Sequence, residues 1–133
     1  MRIEHVDPAR EFEVGYRGAT LKHVANLELG ADEVVTLVTA SGTELDVTRK
    51  EWGYYATSSL NGRLRDHGLR AVLAVGMPRE GEQAERMYLL LVEEGREDVF
   101  EAYLAAESMR VAAWLDDDEA VARMARGPGS DSA

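Results

Sequence analysis

The apolar residues of this chain change their period near residue 50, and that change limits what the chain can fold into. Before it they alternate. Phe12, Val14 and Tyr16 fall on one side, with Glu11, Glu13 and Arg17 opposite. After a turn at Gly18, Leu21, His23, Ala25, Leu27 and Leu29 share one face, and Lys22, Asn26 and Glu28 share the other. Gly30-Ala31-Asp32 interrupts the pattern. Residues 34–39 are rich in β-branched side chains, Ser41-Gly42-Thr43 is a turn, and Leu45 and Val47 mark a short strand over 44–48. Period two broken by short polar turns predicts an antiparallel β-meander with one wet face.

Beyond residue 50 helical spacing enters. Thr57-Ser58-Ser59 offers helix-capping hydroxyls, Leu60 and Leu64 stand one turn apart, and Gly68 occupies the place of a left-handed C-terminal cap. Asn61-Gly62 is also a hairpin signal. Leu64 is the one apolar residue in 63–67, so a short helix is the better reading. Gly62 inside it costs about 1 kcal/mol relative to Ala. Strands follow at 69–75, at 87–92 (read as buried on both faces) and at 109–115, with an exposed loop over 77–85. A helix opening at Gly95 carries Glu97 and Asp98 in its first turn and a buried stripe of Val99, Phe100, Tyr103 and Leu104. A last helix follows Asp116-Asp117-Asp118, with Ala120, Val121 and Met124 on one side.

The expected class is α+β. An N-terminal antiparallel β-meander continues into a ferredoxin-like β-α-β-β-α-β order that starts with the 44–48 strand, and a C-terminal helix closes the chain. The alternative is a meander followed by a separate small α/β layer. One domain over 1–126 is expected, with a meander part at 1–50, an α/β part at 51–126 and a frayed tail at 127–133.

Composition bounds the partners. Twenty-five Asp and Glu against 15 Lys and Arg give a formal net charge of −10. Nucleic acid and anionic membranes demand clustered positive charge, so neither is expected as the main partner. The chain has no cysteine, which removes disulfides, thiolate zinc sites and cysteine nucleophiles together. The first ten residues contain no apolar run of the signal-peptide kind, and the strongest apolar run, 87–92, is far too short to span a bilayer. A soluble, cytoplasmic protein is expected.

No set of residues names a reaction. His5, His23 and His67 have neither the helical nor the strand spacing of metal ligands. His23 lies on the apolar face of its strand, where a hydrogen-bonded core or interface histidine is the simpler reading; it is also the one plausible base. Asp116 to Glu119 could take a hard cation, but the run lacks the EF-hand spacing and glycine, and charge at a helix start accounts for it better. Ser58 and Ser59 have no nucleophile elbow around them. The stretch EWGYYATSSLNGRLRDHGLRAVL, residues 51–73, is where a ligand is best sought. Trp52, Tyr54 and Tyr55 could form a stacking surface, and Ser58, Asn61 and Arg63 at a helix start could hold an anion. Packing and capping are the competing explanations for each of them.

The same stretch, Glu51-Trp52-Gly53-Tyr54-Tyr55-Ala56-Thr57 with Ser59 and Asn61-Gly62-Arg63-Leu64, resembles a small bacterial family. Tyr88-Leu89-Leu90-Leu91-Val92-Glu93 and Val111-Ala112-Ala113-Trp114-Leu115 extend the resemblance, which covers roughly 51–117. The family is tied to surface-polysaccharide or sugar-biosynthesis gene sets and has no established reaction, so no catalytic residue transfers. A proline expected near Ser58 is missing, which leaves the cap geometry unconstrained. The resemblance implies a place in bacterial carbohydrate or secondary-metabolite biosynthesis.

These observations lead to two expectations. The first is a small non-enzymatic accessory or binding protein, homodimeric because open sheet edges need a cover, with no metal and no cofactor. The second is a ligand-binding protein or enzyme acting on a sugar, nucleotide or other anionic metabolite at Trp52–Arg63.

Overall fold

The computed structural model describes residues 1–127; the expected tail beyond Gly127 lies outside the described residues. The fold is mixed α+β with a C-terminal helix, built on three separate antiparallel sheets. β1 (Arg2–Val14) and β2 (Ala19–Glu28) form a long hairpin. β3 (Val34–Val38), β4 (Glu44–Lys50) and β5 (Gly53–Ala56) form a meander. β6 (Leu69–Gly76), β7 (Arg86–Glu93) and β8 (Met109–Trp114) form a sheet in the order β7-β6-β8. The helices are α1 (Arg63–Asp66), α2 (Glu97–Ala106) and α3 (Asp118–Arg126).

The alternation of the first third is realised in the hairpin register. Ile3 pairs with Leu27, His5 with Ala25, Phe12 with Leu21 and Val14 with Ala19, so these residues share one face. Glu4, Glu11 and Glu13, opposite Asn26, Lys22 and Thr20, share the other. The strand starts ten residues before Phe12 because the chain simply continues the alternation through Ile3 and His5, interrupted by an irregularity between His5 and Arg10. Tyr16, expected on the strand, sits in the turn.

The expected single meander is therefore split into a hairpin and a three-stranded sheet. The ferredoxin-like order is not confirmed. It required the 44–48 strand inside the β6–β8 sheet, and β4 is hydrogen-bonded to β3 and β5 instead. β7 and β8 both run antiparallel to β6, hence parallel to each other, and α2 is the crossover between them.

The core lies around β6. On one face Leu64, Leu69 and Ala71 form a buried cluster joined by Leu45, Leu60, Leu91 and Leu115. On the other, Val72 and Ala74 are fully buried and Leu104 of α2 is 2% exposed. Phe100 of α2 meets Trp114 of β8 edge to face at 6.0 Å, and the Arg70 guanidinium lies 4.1 Å from the Trp114 ring centroid. Val99 and Tyr103, expected in the buried stripe, are exposed: the α2 surface that meets the sheet is narrower than the pattern implies. Met87 and Leu89, expected inside, are 73% and 62% exposed, because α1 covers only one end of their face.

Local chemistry fixes the ends of these elements. α1 is a single turn, shorter than expected: Thr57 takes a left-handed φ of 78°, and Gly62, at φ −115° and ψ −95°, is non-helical immediately before Arg63. The N-cap is Gly62 and not one of the expected hydroxyl residues, although the Ser59 Oγ accepts from the Arg63 N–H at 2.9 Å. Gly68, φ 88°, is the expected left-handed end, and its N–H donates to the Arg65 carbonyl. The triple aspartate divides its work. Asp117 caps α3, accepting from the N–H groups of Glu119 and Ala120. Asp116 is buried and accepts from Arg70 Nε at 2.8 Å and Nη2 at 3.2 Å. The guanidinium of Arg70 holds the Asp116 carboxyl below its ordinary value despite burial.

Candidate functional site

The expected Trp52–Arg63 site is only partly assembled. Trp52 sits in the β4–β5 turn, 71% exposed, and stacks on Tyr55 with ring centroids 6.5 Å apart. Tyr54 is next to Tyr55 on a strand, so it points to the opposite face and lies near the Arg49 guanidinium, 5.6 Å from Cζ to ring centroid. Tyr55, Ser58 and Arg63 line a depression of about 330 Å³ together with Asp32, Asp46 and Thr57. Asn61 donates to Asp118 at 2.6 Å and takes no part in that lining. His23 lies on the hairpin, its Nε2 2.9 Å from the Asn26 side-chain oxygen.

The charges in this depression satisfy one another. Arg63 gives Nη2 and Nε to Asp46 at 2.9 and 3.1 Å and also meets His67. Asp46 accepts from the Thr36 hydroxyl at 2.7 Å as well. These bonds, Thr36 first and Arg63 second, hold its carboxyl below the ordinary value. Asp32 is paired with Lys50 at 2.5 Å. Two carboxylates and one committed guanidinium make a surface that suits hydroxyl groups better than an anion.

A larger cavity, of about 650 Å³, lies at the tip of the β1–β2 hairpin, where the tip meets one end of the β7-β6-β8 sheet and the end of α2. The hairpin turn over 15–18 is anchored there. The Tyr16 N–H donates to Glu107 Oε2 at 2.6 Å. Gly15 makes this approach possible. Its φ is 77°, and a Cβ at that position would come within 2.8 Å of both carboxylate oxygens. Glu107, the residue that ends α2, is 8% exposed. Val14, Leu21, Met77 and Met109 give the cavity apolar walls, Tyr88 and Tyr103 add rings, and Arg79 and Arg86 also line it.

Sequence reasoning missed this cavity. Gly15 reads as a turn residue and Glu107 as one more acid at a helix end. The glycines that bracket Tyr16 and Arg17 were the available signal, since they mark a turn able to approach another segment closely. Among the described residues no group of three or more His, Asp or Glu is placed to hold a metal ion, and no helix is long and apolar enough to cross a membrane. Comparison with family models, curated proteins and solved structures finds no match, so the functional reading rests on the geometry.

Proposed function

We propose that the chain is a small binding protein that acts by association, with a second copy of itself as its first partner. The observation that carries this is the apolar face of the β1–β2 hairpin. Near the tip, Val14 and Leu21 turn over the cavity. Further back, Ile3 and Leu27 pair across the strands yet stay 48% and 44% exposed, and Phe12 stays 39% exposed. The opposite face carries Glu4, Glu11, Glu13 and Lys22, so the chain has patterned this hairpin for one-sided burial, with the Arg10–His23 pair interrupting the apolar face. A two-stranded ribbon alone in water is marginally stable. Covering each of these side chains fully would contribute roughly 1.5–3 kcal/mol relative to full exposure, and partial coverage proportionately less. Association costs at least about 4 kcal/mol, so a productive interface needs the whole face. Met87 and Leu89 on the β7 surface offer a second uncovered apolar patch.

A second copy is the partner favoured because a strip of this kind can meet itself across a two-fold axis, residue by residue. The charged strip does not obstruct it, since Arg2–Glu28 and Lys22–Glu11 pair on the other side. The alternative site at Trp52–Arg63 has less support for an anionic metabolite, because Arg63 is already committed to Asp46. The resemblance over 51–117 supplies a biosynthetic context for such an accessory protein.

Sedimentation velocity at micromolar concentration tests the proposal. The expected result is twice the chain mass, falling to the chain mass in the double variant Ile3→Glu, Leu27→Glu while circular dichroism stays unchanged. A clean monomer for the unaltered chain would sink it.

A further inference from the structure

The cavity at the hairpin tip contains charges that form no ion pair among the described residues. Glu107 is almost wholly buried and lines the space, but its one hydrogen bond comes from a backbone N–H. No Lys, Arg or His nitrogen of the described residues comes within the 4.0 Å of an ion pair to it. A carboxylate withdrawn from water is costly without a cation, and one amide N–H replaces only part of its hydration. Arg79 and Arg86 line the same space and join no ion pair among the described residues. Arg10, Arg17, Arg49, Arg96 and Arg123 also join no ion pair among the described residues, so what sets Arg79 and Arg86 apart is their place in the cavity lining. They also stay beyond ion-pair distance of Glu107. The cavity thus offers an acidic position and a basic position that form no ion pair with each other, in a lining that is otherwise largely apolar and aromatic.

We propose that this cavity binds a zwitterionic ligand with an apolar body, of the amino-acid or short-peptide class, its ammonium on Glu107 and its carboxylate on Arg79 and Arg86. Each group has the chemistry required. A guanidinium takes a carboxylate through parallel N–H donors, and an ammonium gives three donors to a carboxylate acceptor. Methionines adapt to varied apolar shapes, and tyrosine rings supply area with few rotatable bonds. The volume, about 650 Å³, falls in the range of roughly 300–1,000 Å³ of small-molecule sites and exceeds the needs of one amino acid, so a dipeptide fills it better. A simple anion would meet the arginines but face the buried Glu107 charge, and a simple cation would leave the arginines unused.

Isothermal titration calorimetry with the full chain tests this, using L-leucyl-L-phenylalanine, its N-acetyl derivative and its C-terminal amide. The parent dipeptide is expected to bind, and each derivative to bind at least tenfold more weakly. Arg86→Gln should weaken the parent at least fivefold and leave the amide unchanged. Glu107→Gln keeps an oxygen for the Tyr16 N–H and should weaken the parent but not the N-acetyl form. Should Glu107→Gln loosen the fold, Arg79→Gln, at an exposed residue, carries the same test on the basic side. No heat from the parent dipeptide overturns the proposal. So does equal binding of parent and N-acetyl form, which would leave an anion site at the arginines alone. None of these groups lies at the Ile3–Leu27 end of the hairpin, so a monomeric result in sedimentation leaves this proposal standing.

Discussion

The β1–β2 hairpin and the β7-β6-β8 sheet follow related sequence rules but differ in what covers them. The hairpin alternates apolar and charged residues along two strands, yet none of its apolar side chains is buried. β6 is apolar almost throughout, and five of its eight residues are buried, because Leu64 of α1 and the leucines around it pack on one face and α2 on the other. Patterning selects a strand; burial needs a second layer. The chain provides that layer for β6 and withholds it from most of the hairpin, which therefore presents a surface instead of contributing to the core.

The sharpest way to break the contrast is to remove a leucine from each region. Leu64 is 1% exposed and sits at the centre of the cluster with Leu69 and Ala71. Leu64→Ala should cost about 3 kcal/mol, the usual range for a buried leucine that leaves a cavity. Leu27→Ala, at a residue 44% exposed, should cost within about 0.5 kcal/mol in a single chain. Urea unfolding of both variants under monomeric conditions measures the difference. Equal costs would mean that the hairpin face is covered in the isolated chain. A larger cost for Leu27→Ala that appears only as protein concentration rises would point to the second copy.

How much could be read in advance follows from the same contrast. The period-two faces of the hairpin and the Gly68 helix end are local in sequence, and each was legible; Leu60, expected on the helix face with Leu64, lies in the turn before α1 and still packs against the Leu64 cluster. Sheet order was not. The choice of β4 to pair with β3 and β5, and not with β6, is set by pairings that no short window contains. Asp116 looked like any acid at a helix start; its partner Arg70 lies 46 residues away. Of the expected site residues, Tyr55, Ser58 and Arg63 line one depression, whereas Asn61, Tyr54 and His23 are directed elsewhere by pleat and turn geometry. The cavity at the hairpin tip was hidden for the same reason, since Tyr16 and Glu107 are 91 residues apart.

The Arg70–Asp116 pair sharpens the comparison on the covered side. The Asp116 side chain is fully inaccessible and bridges β6 to the start of α3, with Arg65 3.7 Å away. Asp116→Asn keeps acceptor capacity but leaves Arg70 with Glu97, 3.3 Å from its Nη1, as its remaining carboxylate partner, and a loss of about 2 kcal/mol is expected. The pH dependence has a definite sign. Hydrogen bonding from Arg70 lowers the folded carboxyl below its ordinary 3.8, so the unfolded chain binds the proton first. The stabilisation is complete above 3.8 and is lost as pH falls through the lower folded value. Acid titration of stability should show the unaltered chain losing more than Asp116→Asn below that point. Parallel curves would rule the pair out as a source of acid sensitivity.

The smallest effect is expected at the junction of the two regions. Gly15→Ala places a methyl group within 2.8 Å of the Glu107 oxygens at a φ of 77°. The left-handed conformation alone costs a non-glycine residue about 1 kcal/mol, and the Glu107 carboxylate must shift toward the adjoining cavity to admit the methyl group. If the hairpin and the β7-β6-β8 sheet unfold together, that cost appears in global stability. If they are separate units, it appears only where they touch. The second outcome is expected, because among the described residues the one side-chain hydrogen bond from the hairpin to the β7-β6-β8 half runs from the Tyr16 N–H to Glu107. Amide exchange should then quicken several-fold at Tyr16 while Val72 and Ala74 in β6 stay unchanged. A uniform increase along β6 would show that the exposed hairpin, despite its uncovered face, is part of the same cooperative unit as the core.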